Sequence, residues 1–122
     1  MPRFRLTRSA EADLARSLTV SAERWGVDAR LRYQALLFDA IQQVAADPEG
    51  PLIRNRNDLG PRIRCFHVRH TQRKPRGERV VRPVHVIYFR ARELGMIEIV
   101  RILHERMEPR RHIDTGLGEP DE

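Results

Sequence analysis

The sequence predicts an α+β domain: an N-terminal strand, then a helical hairpin packed on a C-terminal three-stranded antiparallel meander. Three observations carry this. Two stretches with apolar residues every three to four positions are separated only by Gly26-Val27-Asp28, and so short a junction forces two antiparallel helices. Three extended stretches then follow between residues 62 and 103, rich in β-branched and aromatic side chains. At 122 residues the chain has the length for one modest core.

Taken in order, Arg3 to Thr7 reads as a short strand with Phe4 and Leu6 on one face. Ser9 is the expected N-cap of the first helix, with Glu11 and Asp13 in the first turn, where the macrodipole favours negative charge. Leu14, Leu18, Ala22 and Trp25 form its apolar stripe, and Gly26 ends it. Asp28 is the expected cap of the second helix, which turns Tyr33, Leu36, Leu37, Ala40, Ile41 and Val44 inward and closes at Asp47-Pro48. Residues 49–61 hold two glycines, two prolines and two asparagines and read as a loop.

The first strand of the meander, Arg62 to His70, alternates, with Ile63 and Cys65 on one side and Phe66 and Val68 on the other. The second, Val80 to Arg90, contains Pro83, which places its first half at an edge or bulge. Residues 90–95 turn, and Met96 to Leu103 is apolar on both faces apart from Glu98 and Arg101. Two helices cover only one face of a sheet, so the other is expected to need a cover that a partner chain could supply. Residues 1–113 therefore read as a single domain carrying a basic insert at 69–83, and residues 114–122 as a flexible acidic tail.

Charge is unevenly placed. Residues 1–50 carry seven Arg against seven acids, residues 51–112 carry sixteen basic side chains against six acids, and residues 113–122 carry four acids and no base. A basic second half suits nucleic acid, an acidic groove or an acidic partner segment, or it is only a solvated face. No apolar run approaches the roughly 18 residues of a membrane span, and the first residues have no signal-like apolar stretch. A cytoplasmic protein is expected. Cys65 is the only cysteine, which excludes an intrachain disulfide and a cysteine metal cluster. The histidines lack ligand spacing, and no glycine-rich phosphate loop occurs, so no metal or cofactor is expected. Cys65, between Arg64 and Phe66, reads as a packed strand thiol.

Three segments carry a resemblance: EADLARSLTVSAERWG (Glu11 to Gly26), PVHVIYFR (Pro83 to Arg90) and IEIVRILHERMEPRRHI (Ile97 to Ile113). In this order they resemble the ParE toxins of the RelE/ParE superfamily, whose chains end in a comparable strand and an Arg-rich, His-containing turn. The resemblance spans residues 3–113 and departs from the family at the basic insert and the acidic tail. It implies the toxin of a type II toxin–antitoxin pair, neutralised by a ParD-like ribbon-helix-helix antitoxin. The implied target is DNA gyrase, with operator DNA met only indirectly through the antitoxin, and the implied toxin is an inhibitor rather than an enzyme.

RelE-like relatives of the same superfamily instead cleave messenger RNA on the ribosome, so the fold leaves the target open. They supply an Arg three residues before a strand aromatic and a Tyr or His near the C-terminus. Here the position three before Tyr88 is His85, and no tyrosine follows Tyr88. A ribonuclease would have to be assembled from His85, His104, Arg101 and Arg106. For an inhibitor, the candidate surface for target or antitoxin is Arg54, Arg56, Arg62 and Arg64, with Arg106, Arg110 and Arg111 after the last strand. Arg101, in the middle of an apolar strand, is costly unless a helix or a partner brings it a carboxylate.

Overall fold

The computed structural model describes residues 3–72 and 82–113. Most of the basic insert and the acidic tail thus lie outside the described residues. The elements run β1 (Arg3–Leu6), α1 (Arg8–Trp25), α2 (Val27–Ala46), β2 (Arg54–Asn55), β3 (Arg64–His67), β4 (His85–Ala91) and β5 (Met96–His104). The predicted architecture is present, but the sheet is larger than the meander. It has five strands in the order β1-β5-β4-β3-β2, with β1 parallel to β5 and the other pairs antiparallel.

Two expectations about helix ends give way to local chemistry. The N-cap of α1 is Thr7, not Ser9: the Thr7 hydroxyl accepts from the Ala10 N–H at 3.0 Å and donates to the Val100 carbonyl at 2.8 Å. One side chain thus starts the helix and ties it to β5. Asp28 lies inside the first turn of α2, and the cap is Gly26, whose φ of 95° also ends α1. An L side chain rarely adopts that conformation, so one glycine makes the whole hairpin turn. Trp25, expected on the inward stripe, is the last residue of α1 and is 73% exposed.

The main core lies between hairpin and sheet. The inward residues expected on α2 are all buried there, with Leu18 of α1, Phe66, Val68, Ile87, Phe89, Ile97, Ile99 and Ile102. The order of apolar residues along β5 has a geometric cause. Tyr88 pairs with Arg101 but Phe89 pairs with Ile99, so a bulge at Val100 shifts the side-chain phase by one residue. Unshifted alternation from Ile97 and Ile99 would turn Arg101 into the core; the bulge brings Ile102 there instead.

The apolar part of the opposite sheet face is covered by the chain itself, so the cover that a partner could have supplied there is internal. Leu59, from a 3-10 turn at Asn57–Leu59, and Ile113, beyond a second 3-10 turn at Pro109–Arg111, close over Ile63, Cys65, Tyr88 and Leu103. Residues 49–61 are therefore more than a loop, holding β2 and that turn. The extended stretch expected over residues 62–70 is paired only at Arg64–His67, and His70 sits in a 3-10 turn with its ring centroid 6.3 Å from that of His67. Pro83 precedes β4 rather than lying in it, while Val80 and Val81 fall outside the described residues.

Candidate functional site

Arg101 finds its carboxylate within the chain. β1 pairs with β5 only as far as Ile99, and beyond it the first turns of α1 cover the strand edge. Asp13, 2% exposed, accepts from the Arg101 Nε at 2.7 Å and Nη2 at 2.9 Å, and from the Ile102 backbone N–H at 3.0 Å. The Arg101 Nη1 donates to the His112 carbonyl at 2.7 Å, which fastens the C-terminal turn. Arg101 thus joins helix, strand edge and C-terminal turn through its guanidinium.

His85 and His104 face each other across β4 and β5, ring centroids 5.8 Å apart. The Ser17 hydroxyl donates to the Asp13 carbonyl, so it must accept from the His85 Nε2, 3.0 Å away. Tyr33 accepts from the Val84 N–H and therefore donates to the His85 Nδ1 at 2.6 Å. One tautomer satisfies every contact, and both ring nitrogens are occupied. Burial and then the neighbouring His104 lower the His85 pKa to about 4, so the ring is neutral near pH 7. His104 accepts from the Arg106 N–H at 3.1 Å, and the Arg106 side chain is exposed. Of the four residues of the ribonuclease reading, His85 and His104 share the sheet face of Ile87 and Ile102, whereas Arg101 pairs with Tyr88 on the other face. His85 and Arg101 are both committed to internal hydrogen bonds. Beside them the His67 Nε2 lies 2.7 Å from the Glu105 carboxylate, whose pKa this hydrogen bond lowers.

The predicted arginine surface divides. Arg56 and Arg110 both reach the Asp58 carboxylate, at 2.9 Å each, and so bind the Asn57–Leu59 turn to the C-terminal turn. The hydrogen bond from Arg56 holds Asp58 below the usual carboxylate range. Arg64 donates to the Pro48 carbonyl at 3.0 Å. Arg54, Arg62, Arg106 and Arg111 are exposed. Cys65 is buried, which pushes its thiol pKa up, as a packed strand thiol requires.

A wider arginine cluster joins Arg62 and Arg64 of the predicted surface to four arginines that the sequence did not point to. Arg3, Arg5, Arg62, Arg64, Arg90 and Arg92 line one open groove of about 990 Å³ on the sheet face away from the helices. Beneath them Glu98, 3% exposed, accepts from the Arg5 Nη2 at 2.7 Å and the Arg90 Nε at 2.8 Å. Burial pushes its carboxyl up, but these hydrogen bonds outweigh that and hold it below the usual carboxylate value. The only signal in the sequence is the alternation of Arg3 and Arg5, and of Arg90 and Arg92, on strands whose pairing it does not reveal.

Among the described residues no helix is long and apolar enough to cross a membrane. The sequence matches the family described as ParE toxin of type II toxin-antitoxin system, parDE, over residues 4–109. It is 30% identical over 111 residues to Toxin ParE1 of Mycobacterium tuberculosis, covering 91% of this chain and 97% of the relative. It is 29% identical over 114 residues to Toxin ParE1 of Caulobacter vibrioides, with 93% and 99% covered. With Toxin ParE of Escherichia coli it shares 31% over 108 residues, 88% and 89% covered. The fold is similar to a chain solved as "Chromosomal ParDE TA system from P. aeruginosa", with a TM-score of 0.60 and 20% identity over 85% of this chain and 96% of that one.

Proposed function

Since the chain belongs to the ParE toxin family of type II toxin–antitoxin systems, we propose that it inhibits DNA gyrase in the cytoplasm and is neutralised by a ParD-like ribbon-helix-helix antitoxin. The observation that carries the inhibitor reading is the internal commitment of the acid–base candidates. RNA cleavage through a 2′-hydroxyl needs a base with an available lone pair and cations aimed at phosphate. His85 has both ring nitrogens occupied, and the Arg101 guanidinium holds Asp13 and the His112 carbonyl. Arg106 and Arg111 remain exposed on the ordered C-terminal turn and present fixed positive charge to gyrase or its DNA.

An exposed stripe on the hairpin supports the antitoxin half of the reading. Val27, Leu31 and Phe38 of α2 are 66%, 55% and 52% exposed and recur at helical spacing. An amphipathic antitoxin segment fits such a stripe. Purified chain is to be assayed against gyrase supercoiling and, in parallel, against ribosome-dependent mRNA cleavage. Inhibition of supercoiling, weakened by Arg106→Gln with Arg111→Gln, is expected. Cleavage of mRNA that disappears in a folded His104→Gln variant would instead make the chain a RelE-like endoribonuclease.

A further inference from the structure

The arginine groove is ordered by the strand register. Directly opposed residues on neighbouring strands share a face, and β5 runs between β1 and β4. Arg5 and Arg90 both pair with Glu98, forming one row across three strands. Arg3 pairs with Met96, and the Arg92 N–H donates to the Met96 carbonyl, forming a second row, Arg3-Met96-Arg92. The rows lie two residues apart, about 7 Å, and the flanking strands about 10 Å apart. Four arginine backbone positions thus stand at the corners of a rectangle, and the side chains of Arg5, Arg90 and Arg92 lean from three of them toward Glu98.

Glu98 does not neutralise this set; it orients part of it. Its two oxygens hold Arg5 and Arg90 by one N–H each, leaving their other donors unengaged by Glu98, while Arg92 stands 3.7 Å away. Arg3 and Arg62 have no carboxylate partner among the described residues. Six arginines against Glu93 and Glu98 leave the groove strongly cationic. Two backbone features frame it. Arg62 is held at φ 65°, a region that an Arg rarely occupies, by a hydrogen bond from its N–H to the Asn57 side chain. Leu94, at φ 61° and 85% exposed, is an apolar residue of the lining.

We propose that this groove is a sequence-independent binding site for the phosphodiester backbone of a nucleic acid strand, separate from the C-terminal arginines. The 7 Å repeat is of the order of the distance between consecutive phosphates. Guanidinium forks match phosphate oxygens in pairs. Leu94 lies where an apolar side chain can contact a base beside the bound backbone. An acidic peptide would match the charge but not the two-row spacing, which is why a poly-glutamate peptide is the competitor in the test. The site reads no bases, so it is distinct from operator recognition.

The test measures anisotropy of labelled single-stranded DNA, duplex DNA and single-stranded RNA with the full chain over a salt series. Gyrase and antitoxin are absent, so the result is independent of the supercoiling assay. The Arg3→Gln, Arg62→Gln, Arg92→Gln triple variant spares the Arg5-Glu98-Arg90 row, and its thermal unfolding should match the parent. A control triple, Arg8→Gln, Arg24→Gln, Arg30→Gln, removes the same charge from the exposed hairpin surface. The groove triple is expected to weaken binding by about tenfold or more and to lower the log–log salt slope by about 2 to 3. The control should leave the slope near the parent's. Which of the three nucleic acids binds tightest identifies the natural form of the backbone. Absence of binding at low salt, equal losses in both triples, or tighter binding of a poly-glutamate peptide would each overturn the proposal.

Discussion

Replacing Asp13 by Ala removes the acceptor at which α1, the β5 edge and, through Arg101, the C-terminal turn converge. Three losses follow from the geometry. The Ile102 N–H, hydrogen-bonded at 3.0 Å, is orphaned in the interior, at about 1–3 kcal/mol. Arg101, with 18% of its side chain exposed, loses two charge-assisted hydrogen bonds and is left as a largely desolvated cation. Arg16 contributes little, since it lies 3.4 Å away with most of its side chain in water. Breaking one partner of a buried pair costs roughly 3–5 kcal/mol. For a chain of this size that corresponds to a Tm lower by about 12–20 °C.

Asp13→Asn keeps an acceptor and should cost about half as much, near 1.5–3 kcal/mol. Urea unfolding followed by circular dichroism measures both, and an unchanged m-value confirms that the native state is affected. The double variant Asp13→Leu with Arg101→Met removes both charges and should lose at least about 1 kcal/mol less than the sum of its singles. A cost below about 1 kcal/mol for Asp13→Ala, or additive singles, would refute the idea that this pair holds the junction. The result also bears on function. Lost toxicity in an Arg101 variant reports on catalysis only if the protein is still folded.

Three further outcomes are expected. His85, with its pKa lowered to about 4, binds its proton more weakly folded than unfolded. Its contribution is therefore complete above about pH 6.5 and lost as pH falls toward 4, an acid limb of about 3 kcal/mol that His85→Gln should flatten in urea titrations. Gly26→Ala should lower stability by about 1–3 kcal/mol although nothing lies within 4 Å of the new methyl, because the cost is that of φ 95° alone; an unchanged Tm would contradict this. Leu31→Asp with Phe38→Asp should abolish neutralisation by the antitoxin in a growth assay while leaving toxicity intact, and full neutralisation would remove the α2 stripe from the interface.

What the sequence disclosed and what it concealed follow a physical line. The hairpin was legible because its periodicity lies within each helix: Tyr33, Leu36, Leu37, Ala40, Ile41 and Val44 are neighbours in sequence and in the core alike. The strands β3 to β5 were legible for the same reason. The parallel pairing of β1 with β5 was not, since Arg5 and Glu98 are 93 positions apart and no local pattern records their contact. The cover of the second sheet face was hidden too, because Leu59 and Ile113 are single apolar residues in polar turns. Among the candidate site residues, the sequence pointed to Arg101 as needing a carboxylate but could not choose Asp13. It missed Arg3, Arg5, Arg90 and Arg92, whose grouping exists only across strands.

The parallel seam between β1 and β5 also orders events in time. Residues 3–6 leave the ribosome before the rest of the domain, yet their partners, Met96 to Ile99, emerge only after almost all of it has been made. Thr7 likewise waits for the Val100 carbonyl, and Asp13 for Arg101 and Ile102. The hairpin can form early from local contacts, but the sheet that carries the arginine rows cannot close before β5 has emerged. A nascent chain therefore displays the stripe on α2 before it completes the cationic sheet. Synthesis itself leaves an interval in which the hairpin exists while the sheet is still open.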